Sequence, residues 1–173
     1  NEASALAEGL ADQRRLGRPL AYQTHVYGFL GEHARAIDAA KSACAIAEGV
    51  GDLGLRVVAN NFLGVALWNA GDLRSAAEPV RAAIALLQGA PLGETFGQAP
   101  AIHWILAAVL AELGEFAEAV ATGEEGLRIA QTTGQPLNEV WVRYGLGYAH
   151  LRHGDFKQAT RVLEPGLALC QAT

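Results

Sequence analysis

The chain contains no methionine, so Asn1 is not a natural translation start, and the sequence reads as an excised or processed piece of a longer protein. Only two cysteines are present, Cys44 and Cys170, far apart in apolar helical contexts. That excludes a disulfide framework and a zinc motif, and it fits a reducing cytoplasm, with both thiols toward the buried faces of their helices as small hydrophobes. No apolar run approaches the roughly 20 residues that cross a bilayer, and no basic, apolar and small-residue succession opens the chain as a leader would. Basic residues number 13 against 18 acidic ones, without the clustered Lys and Arg that a phosphate backbone requires, so neither membrane nor nucleic acid is an expected partner.

Aromatics supply 7% of the 173 residues, whereas the apolar fraction is 51%, mostly alanine, leucine and valine. Small apolar side chains let helices approach closely, which points to helix-on-helix packing. Self-similarity then organises the chain. Gly31-Glu32-His33-x-x-Ala36, Gly71-Asp72-Leu73-x-x-Ala76, Gly114-Glu115-Phe116-x-x-Ala119 and Gly154-Asp155-Phe156-x-x-Ala159 recur with glycines 40, 43 and 40 residues apart. This period holds two helices and two turns, so each unit is a helical hairpin.

Seven residues before each of the last three glycines stands a small residue, Gly64, Ala107 or Gly147, after Leu63, Leu106 or Leu146; the first unit departs with Gln23 and Thr24. The small residue and the alanine after the turn remove bulk where two antiparallel helices cross, so Gly64 is expected to face Ala76. The turn glycine takes the left-handed conformation that ends a helix, and the acid after it caps the next helix. Asp155 with Gln158 approximates a capping box.

The pattern predicts first helices near 18–30, 53–70, 99–113 and 137–153, and second helices near 32–48, 73–88, 116–133 and 156–171. A partial helix near 3–12 precedes them, and Gly89 to Gly97 forms a breaker-rich loop. Pro79 and Pro165 fall inside predicted helices, where loss of a backbone hydrogen bond is expected to bend rather than end them.

These residues resemble the tetratricopeptide repeat family, whose pattern places Leu and Gly in the first helix, Gly-Asp-Tyr/Phe at the turn and Ala in the second. The resemblance implies an all-α superhelix: one repeat domain over 1–173, with a partial helix in 1–17 and repeats at about 18–52, 53–98, 99–136 and 137–173. Leu63-Gly64-Val65-Ala66-Leu67-x-x-x-Gly71-Asp72 and Leu146-Gly147-Tyr148-x-x-Leu151-x-x-Gly154-Asp155 are similar to the C-terminal helical regions of bacterial class III adenylate cyclase and ATPase signalling proteins. No catalytic residue of those neighbours is carried over.

Catalytic chemistry has no positive signal in the sequence. No glycine-rich loop ends in Gly-Lys-Ser/Thr, and Gly145-Leu146-Gly147 lies inside a predicted helix. His150 and His153 lie three apart without a carboxylate to complete a zinc set; the bland reading packs His150 in the hairpin and leaves His153 solvated. Ser4, Ser42 and Ser75 lie in no strand-to-helix elbow, and Glu124 and Glu125 read as a solvated face. The chain is therefore expected to be no enzyme and to need no cofactor or metal.

In the family's geometry the first helices line a concave surface. Residues at the matching positions include His25; Asn61, Trp68 and Asn69; Trp104 and Glu112; and Trp141, Tyr144, Tyr148 and Arg152. Large aromatics among small and polar neighbours make recognition anchors, although rings of this kind also fill gaps between hairpins. The basic clamp by which some members hold a C-terminal carboxylate has no counterpart here. The expected function is a protein-interaction or regulatory scaffold of a bacterial signalling protein, binding a peptide, another domain of its parent chain or a second copy of itself. The alternative is a small-molecule effector sensor that changes the curvature of the array.

Overall fold

The computed structural model of the chain describes residues 13–88 and 99–172, and among these every regular element is an α-helix. They are α1 (Gln13–Phe29), α2 (His33–Val50), α3 (Leu53–Asn69), α4 (Leu73–Gln88), α5 (Ala99–Leu113), α6 (Phe116–Thr133), α7 (Pro136–His153) and α8 (Phe156–Ala172). The predicted helix at 3–12 and the loop from Gly89 to Gly97 lie outside the described residues. The chain divides into two compact units, Asn1–Ala90 and Pro91–Thr173. In the first, α1 packs on α2, α2 on α3 and α3 on α4, with α1 also touching α3; in the second, α5 to α8 repeat that scheme, α5 touching α7. Each unit thus holds two stacked hairpins.

Glycine ends the first helix of every hairpin. Gly31, Gly71, Gly114 and Gly154 have φ of 74°, 82°, 81° and 88°, a left-handed conformation that a Cβ would strain. The amide one residue on reaches back to close the helix, as Asp72 N does to Leu67 O at 3.0 Å and Asp155 N to His150 O at 2.9 Å. The acids after the glycine behave in two ways. Asp72 accepts from Ser75 N at 3.2 Å, and Asp155 from Gln158 N at 3.1 Å. Glu32 and Glu115 make no side-chain cap bond, because one more methylene carries the carboxylate past the amide; Glu32 turns instead to Arg35.

The expected crossing is present. A Cβ on Gly64 would lie 3.1 Å from Ala76 O and 2.2 Å from Val80 Cγ2, and one on Gly147 would lie 2.5 Å from Leu163 Cγ. Ala107 and Ala119, in the same positions of the third hairpin, are fully buried. Close approach of backbones replaces large side chains as the source of packing, which is why so much of the core is alanine.

Two expectations need correction. The first helix starts at Gln13, not near residue 18, so Pro19 lies within it. Tertiary contact holds this early turn: a Cβ on Gly17 would lie 2.4 Å from Leu55 Cδ2 and 3.1 Å from Ile46 Cγ2, so α1 is anchored against α2 and α3 ahead of its proline. Cys170 is exposed rather than on a buried face, because among the described residues α8 packs on α7 alone. Cys44 is partly buried, and burial, helped by Glu48, pushes its thiol up to about 11. The helices α4 and α8 run through Pro79 and Pro165 without ending. No helix among the described residues is long and apolar enough to cross a membrane.

Candidate partner-binding face

In the second unit α5 and α7 lie side by side, and a glycine sets how close they come. A Cβ on Gly145 would fall 2.6 Å from Trp104 O and 2.7 Å from Trp104 Cα, so only a residue without one allows this approach. The indole of Trp104 then stacks on that of Trp141, with centroids 5.3 Å apart and planes 22° from parallel. Tyr144 meets Trp104 edge-on at 5.7 Å and Trp141 edge-on at 6.5 Å, and it stacks on Tyr148 at 6.3 Å. Four rings form one continuous row. Trp104 is half-buried, while Trp141 and Tyr144 keep 43% and 45% of their surface exposed.

The row ends in a polar network. The Tyr148 hydroxyl donates to Glu112 Oε1, and Arg152 pairs with Glu112 Oε2 at 3.1 Å. Desolvation and the bond to Glu112 push the Tyr148 phenol up to about 12. The carboxylate is thereby shared between a neutral donor and a cation across the two helices.

Six of the ten residues expected at the site are thus brought together: Trp104, Glu112, Trp141, Tyr144, Tyr148 and Arg152. The other four belong to the first unit. His25 on α1 lies 5.1 Å from the Phe29 ring and 5.0 Å from the Phe62 ring, and burial lowers its pKa. Asn61 and Trp68 on α3 are half-buried, the Asn61 Oδ1 atom being buried without a hydrogen-bond donor. Asn69 is exposed at the end of α3, its amide nitrogen 3.4 Å from where a Cβ on Gly28 would stand.

Reading by register missed several side chains here. Phe62, which also meets Tyr22 edge-on at 5.7 Å, follows Asn61 directly in the sequence yet forms the centre of the first unit's aromatic group. Arg35 lies 4.2 Å over the Tyr27 ring while bonded to its hydroxyl. A lone aromatic one position out of register is the signal that was available for Phe62. Among the described residues no group of His, Cys, Asp and Glu is arranged to hold a metal ion.

Residues 98–172 match the profile of the tetratricopeptide repeat family. A Podosopora anserina protein with nearly identical TPR-like repeats superimposes with a TM-score of 0.74 at 18% identity, over 98% of this chain and 84% of that one. Another structure of such repeats from the same organism gives 0.66 at 20% identity, over 96% and 81%. BtubC from P. vanneervenii gives 0.75 at 18% identity, over 93% of this chain and 65% of its own. At such identities the likeness is one of fold. No curated protein matches the chain. The similarity to cyclase and ATPase signalling proteins gains no support from these matches.

Proposed function

We propose that the chain is a non-catalytic scaffold that docks a peptide or protein on the aromatic row of α5 and α7, as the match of residues 98–172 to the tetratricopeptide repeat family, whose repeats generally mediate protein–protein interaction, supports. The observation that carries this reading is the exposure of Trp141 and Tyr144 at 43% and 45% within a stacked row, in a chain with few aromatics. Rigid rings bury much area on contact and lose little rotamer freedom, so they make efficient anchors. The Glu112–Arg152 pair at the end of the row offers a partner both an acceptor and a donor. A role in a bacterial signalling protein of the cytoplasm, where the partner is another domain of the parent chain, remains part of the proposal.

Selection of phage-displayed peptides on the intact chain tests it. Joint replacement of Trp104, Trp141 and Tyr144 by alanine is expected to weaken selected peptides by more than about a hundredfold, the scale of a lost hot spot. Helical content by circular dichroism should persist, since the two exposed rings lie outside the core. Undiminished binding by a folded triple variant would move the site elsewhere.

A further inference from the structure

The helix α7 carries a second stripe opposite the aromatic one. Trp141, Tyr144 and Tyr148 follow the spacing of one helix face, and Arg143, Leu146 and His150 repeat it two residues later, about 200° around the axis. These three residues help to line a cleft of about 590 Å³, to which α6 contributes Glu124, α8 contributes Arg161 and the turn between α7 and α8 contributes Asp155. That volume falls within the range of small-ligand sites.

The charged groups of this cleft are unequally committed. Arg143, with 13% of its side chain exposed, is locked by Glu139 through Nε at 2.9 Å and Nη2 at 2.6 Å. It forms a fixed wall. Asp155 has given one oxygen to the amide of Gln158. The side chains of Arg161, His150 and Glu124, by contrast, make no hydrogen bond or ion pair among the described residues. A free guanidinium and a free carboxylate therefore come from the two helices that flank α7, with opposite signs presented to one space.

We infer that this cleft binds a small zwitterion of the amino-acid or short-peptide class, its carboxylate against Arg161 and His150 and its ammonium against Glu124 and Asp155. A ligand of one sign meets one attractive and one repulsive wall, whereas a ligand with both ends charged satisfies both. Because α6 belongs to one hairpin and α8 to the next, such a ligand bridges two repeats. The site is separate from the aromatic row, which lies on the far side of α7.

Calorimetric titration of the full chain with trialanine, its N-acetylated form and its C-terminal amide tests this. Trialanine is expected to bind saturably, with each singly charged form weaker by at least about tenfold, the loss of one charge-assisted contact. Arg161→Met and Glu124→Gln, both at exposed positions, should each weaken trialanine to the same degree, while the triple alanine variant of the aromatic row binds it as before. Absence of heat at millimolar trialanine overturns the inference and leaves the charges as a solvated surface. Equal binding of the acetylated form overturns the zwitterion, and indifference to both substitutions overturns the location. Loss on changing the aromatic row would assign the peptide to that face instead.

Discussion

The two units meet the same packing problem with bulk on opposite sides. In the first, Ala21 of α1 and Ala43 of α2 receive α3, and Phe62 of α3 packs against the cluster they form with Ala59. In the second, the position ten before the turn glycine holds Trp104 instead of Ala21, and the position nine before it holds Gly145 instead of Phe62. The residue twelve after the glycine changes in step, from Ala43 to Gly126, whose absent Cβ would lie 2.5 Å from His103 Cβ and 3.2 Å from Val142 Cγ1. A small receiver takes a large knob in one unit, and a large receiver takes a bare backbone in the other. The repeat register conserves the contact while the partition of volume across it is free, and only the second partition leaves a stacked aromatic row at the surface.

The sharpest break of that comparison is Gly145→Leu. Its side chain meets the backbone of Trp104, so we expect a loss of about 3 kcal/mol or more in denaturant unfolding. Trp104→Ala should fail to restore it, because the obstructing atoms include the carbonyl oxygen and Cα. Rescue by that substitution would show that the rings, not the backbones, limit the approach. The mirror change in the first unit, Phe62→Ala, empties the knob and should cost about 2 kcal/mol, less than a full core truncation since Phe62 is only partly buried. A smaller effect separates the caps: Asp72→Ala should cost about 1 kcal/mol and Glu32→Ala distinctly less, as read from shifts in thermal midpoint.

Alkaline titration gives the second unit a signature of its own. The folded Tyr148 holds its proton to about 12, against an ordinary value of 10.0. Below the ordinary value both states are protonated and its contribution is complete; as pH rises toward the folded value the unfolded chain releases its proton first, and stability falls. Tyr148→Phe should flatten the unfolding midpoint over that interval. In the first unit Cys44, raised from 9.0 to about 11, adds a loss of the same sign that begins at lower pH. The smallest effect expected is kinetic: an alkylating reagent near neutrality should label exposed Cys170 well before Cys44, as mass spectrometry of digested samples would show.

Much of the fold was legible because turns are local chemistry. Four turns require the left-handed conformation, which glycine alone adopts without strain, and the small residue seven before three of those glycines faces the next helix by helical geometry alone. Six of the expected site residues come together for a related reason, since register fixes which face of α5 and α7 they share. The unread parts depend on what lies across a gap. Asp and Glu look equivalent after the turn glycine until their reach is compared with the amide they must meet. Gly145 stands out in the sequence only within Gly145-Leu146-Gly147, which is no phosphate loop, though it sets the spacing beneath the aromatic row. The start of α1 and the exposure of Cys170 were misread because each depends on which neighbouring helices pack there, and no local pattern reports that.

Because each hairpin contacts only its neighbours, an array of this kind can in principle be lengthened by inserting a whole hairpin. At the turns such an insertion is silent here, since Gly71 and Gly154 close their helices alike. At a boundary it is not. Moving the hairpin of α3 and α4 to follow that of α5 and α6 would drive Phe62 toward Trp104, two large groups into a space shaped for one. The unit that must stay intact in this chain is accordingly the seam, half of one hairpin with the facing half of the next, and a duplication that copies a whole hairpin without matching its seams is expected to lose stability.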